Sequence, residues 1–134
     1  MVLGSAVYDR AWIPEAAEFV RSNLNALTRL PVWIFSVGMR DALRGPMGAL
    51  LKNAVPKEIA SLLDAIHPRD HHVFSGVIER AQLPLAGRLI FRGLGGRYGD
   101  FRNWAEIDAW AEGIARQLGS PNRPQSPVQR HRRP

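Results

Sequence analysis

A chain of 134 residues allows one domain with a core, burying roughly two thirds of its unfolded surface at this size, and leaves no room for a second. The absence of cysteine excludes disulfides, thiol catalysis and cysteine-held metal. The net charge of +6 is uneven: Ser120 to Pro134 holds four arginines and no acid, so the other 119 residues carry 14 basic against 12 acidic side chains.

Val2 and Leu3 begin an apolar strand, and Gly4-Ser5-Ala6-Val7-Tyr8 reads as the loop at its carboxyl end. Ile13, Ala16, Ala17, Val20, Leu24 and Leu27 then keep a helical period, with polar residues opposite. They predict one amphipathic helix of about four turns, opened by Pro14 and stopped by Pro31. "VWIFSVG", Val32 to Gly38, predicts a strand buried on both faces. Residues 39–55, with turn signals at Gly45-Pro46 and Gly48, read as loop.

Pro56 starts a helix with Ile59, Leu62, Leu63 and Ile66 on one stripe, and Pro68 ends it. His71 to Ile78 predicts a third strand, and a short apolar helix is expected around Leu85 to Phe91 before glycines break it. Asn103-Trp104-Ala105-Glu106 has the form of a capping box. It opens a last helix with Trp104, Ile107, Ala111, Ile114 and Leu118 on one face, closed by Gly119 and Pro121. Strand and helix alternate, which predicts an α/β fold: a parallel sheet with helices on both faces. It should occupy residues 1–119, with 120–134 a disordered basic tail.

Few residue patterns carry chemistry. His67, Asp70, His71 and His72 cluster, but Pro68 makes the segment a turn and no helix-borne ligand spacing occurs, so a surface turn is expected. "GLGGRYGD" misses the dinucleotide fingerprint, and neither a nucleophile elbow nor a P-loop is present. Trp33, Trp104 and Trp110 are expected in the core. Tyr8 and Trp12 follow the first strand end, where an aromatic is a candidate to stack on a flat ligand ring.

Three stretches, "VLGSAVYDRAWIPEAAEFV", "PVWIFSVG" and "GDFRNWAEIDAWAEGIARQL", resemble in order and spacing the flavodoxin-domain proteins of the menaquinone-dependent protoporphyrinogen oxidase type. Such proteins have a five-stranded parallel sheet of order 2-1-3-4-5 with FMN at the switch point. The resemblance covers residues 1 to about 118 and implies that the strands here are three to five of the usual five. It implies that Gly4, Ser5, Ala6, Val7 and Tyr8 line one side of the isoalloxazine, and that Phe35, Ser36, Val37, Gly38 and Met39 line the other.

The family's first strand, Ser/Thr-rich phosphate loop and first helix have no counterpart here. Met1 is therefore expected to be a mis-assigned start or the scar of a truncation, and the 134-residue chain is expected to bind FMN weakly or not at all. The implied function is an FMN-dependent oxidoreductase or electron-transfer domain, with no catalytic residue and no metal assigned. A redox partner or quinone is a candidate partner, and the reductant would be a quinol or another flavoprotein. The alternative is a non-catalytic remnant, or an interaction fragment that pairs through its sheet edge with another chain. No specific nucleic-acid partner is expected. No leader or membrane-length apolar run occurs, and a cytoplasmic location is expected.

Overall fold

A computed structural model describes residues 1–52 and 54–119. The tail expected at 120–134 lies outside them. In chain order the elements are β1 (Val2–Tyr8), β2 (Ala11–Trp12), α1 (Pro14–Ser22), α2 (Leu24–Leu27), β3 (Trp33–Gly38), α3 (Gly45–Lys52) and α4 (Lys57–Ile66). After them come β4 (Asp70–Ser75), β5 (Val77–Ile78), α5 (Leu85–Gly93), β6 (Gly99–Asp100) and α6 (Trp104–Gly119).

The central sheet has the order β2-β1-β3-β4 and is mixed. β1, β3 and β4 run parallel, with Gly4 opposite Phe35 and Phe35 opposite His72. The two-residue β2 folds back antiparallel on the end of β1, pairing Val7 with Trp12. It follows a turn at Asp9 and Arg10, both in the left-handed region, where Asp is tolerated better than most residues. Beyond β2, Val2 to Ala6 have no strand beside them on that edge among the described residues.

Strand alternation divides the side chains between two faces. Ile34 and Val32 join Val20 of α1, Leu27 of α2, Ile59, Leu62 and Ile66 of α4, and Trp12 in one buried cluster. On the other face of β1, Val2 is 47 % exposed and Tyr8 67 %, while β3 and β4 carry the tilted Phe35–Phe74 pair at 5.9 Å. A smaller cluster of Ala42, Ile78 and Phe91 joins the antiparallel β5–β6 pair to α5.

The remainder of α6, from Ala105, belongs to a separate unit. Taken by itself, α6 is a 16-residue helix bearing a Glu112–Arg116 pair at 3.7 Å.

Several expectations need correction. Gly4 to Tyr8 are strand, not loop: the β1–β3 ladder continues to Ala6 opposite Val37, and the β2 hairpin holds Val7 and Tyr8. The single helix expected over 14–28 is two, separated at Asn23, whose side-chain amide donates to the Phe19 carbonyl and draws the chain out of the helix. The expected loop over 39–55 contains α3, with Pro46 in the first turn where its missing N–H costs nothing. The third strand stops at Ser75; after Gly76, whose amide donates to the Gly38 carbonyl, Val77 and Ile78 enter a separate sheet. Trp104 is 62 % exposed rather than core, its ring lying under the Arg102 guanidinium at 5.4 Å.

Candidate functional site

Because β1, β3 and β4 are parallel and in register, their carboxyl ends open on one edge. That edge carries Tyr8, the Asp9-Arg10 turn, Met39 at 44 % exposure, and Gly76. Continuing the register past Ala6–Val37–Phe74 sets Tyr8 level with Met39 and Gly76. Gly38 ends its strand beside Val7: a Cβ added at Gly38 would lie 3.9 Å from Val7 Cβ, an ordinary contact distance. An exposed phenol ring beside a glycine-lined strand end is a surface on which a flat ring can rest.

The other candidate residues are placed differently. Gly4 is covered by its neighbour, for a Cβ there would collide with the Phe35 ring, so the space belongs to Phe35 and is not open to a ligand. Ser5 is buried on the helix-covered face, its hydroxyl donating to the Ala6 carbonyl and accepting from the Ile13 amide at 3.2 Å. Ala6 and Val37 pair within the ladder. Trp12, expected as a stacking aromatic, is buried in the core. β2 turns its indole inward, and Nε1 donates to Ser36 Oγ at 2.9 Å.

Ser36 is thereby committed inward as well. Its oxygen accepts from Trp12 Nε1 and is hydrogen-bonded to His71 Nε2, also at 2.9 Å. Burial pushes His71 below the ordinary histidine range, reinforced by His72 and opposed by the Asp70 charge. His72, the next strand residue, points to the opposite face and lies 4.5 Å from the Phe74 ring, so the two imidazoles do not converge. Among the described residues no group of histidines and acids is placed to hold a metal.

The lowered His71 value sets a sign. Unfolded, the imidazole binds its proton near pH 6.5; folded, it does so only at lower pH. The stability contribution is present above pH 6.5 and lost as the pH falls through the folded value. Denaturant titrations from pH 8 to pH 5 should show wild type losing more stability than His71→Gln, and parallel curves would refute this.

Sequence reasoning missed a second cluster beside the edge. The Ser75 hydroxyl donates to an Asp41 carboxylate oxygen, and the Asp41 amide donates back to Ser75 Oγ at 3.2 Å. Arg40 Nη1 donates to the Val73 carbonyl at 3.1 Å. Asp41 and Ser75 lie 34 positions apart, which no local pattern reveals.

FMN would need a place for its ring and a cradle for its phosphate. Tyr8, Gly38 and Met39 would offer the ring a surface. For the phosphate, several amides around this edge are already spent within the chain: Ile13 on Ser5, Ala16 and Ala17 on the Ile13 carbonyl, Asp41 on Ser75, Ala42 on Met39, Arg44 on Gly95 and Gly76 on Gly38. A phosphate dianion is held by free amides at a helix N-terminus. The amides named here are not free to hold a phosphate.

A family model described as a flavodoxin domain matches residues 1–95. No curated protein and no solved structure matches the chain.

Proposed function

The chain belongs to the flavodoxin domain family, and from that premise we propose that it is an FMN-dependent oxidoreductase or electron-transfer domain. The flavin ring rests at the carboxyl edge of the sheet, against Tyr8, Gly38 and Met39. The observation that carries this reading is the parallel β1–β3 ladder, which delivers an exposed aromatic and the Gly38 strand end to the same edge. Bound flavin supplies the electron transfer, and the protein supplies position and electrostatics. The finer assignment is the menaquinone-dependent protoporphyrinogen oxidase type, with a quinone or another redox protein exchanging electrons with the flavin. The quoted sequence resemblance supports it.

The reading includes a requirement. The phosphate cradle comes from a further strand, loop and helix on the open edge of β1, where Val2 to Ala6 still have backbone groups to pair. The test is to express the protein with any in-frame coding sequence upstream of Met1 restored. The extended protein should purify yellow and the 134-residue chain colourless. Stoichiometric FMN on the 134-residue chain would refute the requirement. An extended protein without flavin would refute the function and favour a domain that uses the β1 edge to bind another chain. In the flavin-bound protein, Tyr8→Ala should weaken FMN by about 0.5–1.5 kcal/mol beyond lost burial; an unchanged affinity and spectrum would remove the stacking role.

A further inference from the structure

Residues 80–99 hold four arginines and neither acid nor lysine. α5 runs through this stretch with one side committed: Phe91 is buried in the smaller cluster and its ring meets Tyr98 at 5.2 Å. Its other side is open. Leu85 is 71 % exposed, Leu89 70 % and Ile90 65 %, an aliphatic ridge at the surface.

Leu85, Arg88, Leu89 and Arg92 follow the i, i+3, i+4, i+7 spacing of one helix face. With Arg80 and Tyr98 they line an open hollow of about 170 Å³. Two features of that hollow point to an anion. Arg88 Nε donates to the carbonyls of Arg80 and Leu83, at 2.9 and 2.8 Å, which fixes the guanidinium while none of the three arginines forms an ion pair among the described residues. The Tyr98 hydroxyl is buried without a hydrogen-bond partner.

We propose that α5 and this hollow form a docking site for an anionic lipid bilayer. The arginines and the Tyr98 hydroxyl take a phosphate headgroup, and Leu85, Leu89 and Ile90 enter the boundary with the acyl chains. The volume is well below the ~300–1,000 Å³ of sites that enclose a small organic ligand, yet it suffices for a headgroup phosphate. The exposed apolar residues on the ridge are aliphatic, whereas protein-binding hot spots favour Trp and Tyr, with Leu under-represented. Aliphatic residues beside basic ones on an exposed helix suit the plane of an anionic membrane. The contact is peripheral: no described helix is long and apolar enough to cross a bilayer.

The site is independent of flavin, so its test needs none. The full chain is floated with vesicles of equal parts phosphatidylglycerol and phosphatidylcholine, and with phosphatidylcholine alone, at physiological salt. It should float with the first only. Arg80→Gln with Arg92→Gln should lower partitioning roughly fivefold per arginine, about 25-fold together. Leu85→Ser with Leu89→Ser should lower it on the order of tenfold. Both pairs keep the arginines beyond Ser120, so any attraction of those to lipid is common to every sample. The substituted side chains are on the surface, and unchanged melting curves check the fold. In a third variant, Leu89→Trp, the new indole should shift blue and be quenched by brominated acyl chains. Equal flotation of the variants and wild type, equal binding to phosphatidylcholine alone, an indole insensitive to brominated lipid, or glycerol phosphate binding as tightly as vesicles would each overturn the proposal.

Discussion

Replacing Ile34 with alanine is expected to cost about 2–5 kcal/mol, a large share of the ~5–15 kcal/mol that holds a domain of this size folded. Ile34 sits in the middle strand, fully buried, with Val20, Leu27, Ile59, Leu62 and Ile66 among the residues of its cluster. Removing three of its side-chain carbons forfeits their transfer energy and leaves a cavity. β3 cannot easily move to fill it, because it is pinned by parallel ladders on both sides. In urea the midpoint should fall by roughly 1–3 M at an ordinary m-value. Val2→Ala, at a half-exposed position on the opposite face of β1, should change stability by no more than about 0.5 kcal/mol. Similar losses for the two would mean that the cluster of Ile34, α1 and α4 is not the principal core.

That core was legible in the sequence because its residues advertise themselves locally. The stripe of Ile59, Leu62 and Ile66 and the apolar run from Val32 each need only a window of about ten residues to recognise, and α4 and β3 appear where those windows put them. What local pattern cannot convey is which partner a residue meets. Trp12 follows a strand end in sequence, yet a two-residue β2 turns it into the core, and so short a strand leaves no alternation to detect. Glycine misleads in a related way. Gly4 resembles a loop residue, but its lack of a side chain admits the Phe35 ring across the ladder, which is a packing reason and not a turn. The carboxyl edge was legible as a consequence of parallel connectivity, and its details were not. Ser5 and Ser36 stand in the segments expected to line a flavin, and strand alternation turns both hydroxyls to the opposite, helix-covered face.

Ser36→Ala should therefore behave as a core substitution and not as a cofactor-site substitution. The serine is almost fully buried, and its hydroxyl links Trp12 Nε1, from which it accepts, to His71 Nε2 in one chain of bonds. Alanine leaves an indole N–H and an imidazole nitrogen without their partner in a largely dry environment. A buried group left unsatisfied costs about 1–3 kcal/mol, so the loss should exceed that of Val2→Ala by a clear margin. A double-mutant cycle with Trp12→Phe separates this cost from simple loss of volume: once the indole donor is gone, Ser36→Ala should cost less, with a coupling of about 0.5–3 kcal/mol. His71 supplies a second readout. A hydroxyl that donates to Nε2 favours the neutral imidazole, so if that is the direction of the bond the His71 pKa, followed by NMR titration, should rise toward the ordinary value in Ser36→Ala. Additive losses in the cycle together with an unmoved His71 titration would show that the three side chains do not act as a unit. A variant that kept full stability but lost flavin would instead put the Ser36 hydroxyl at the ligand, against the direction in which β3 points it.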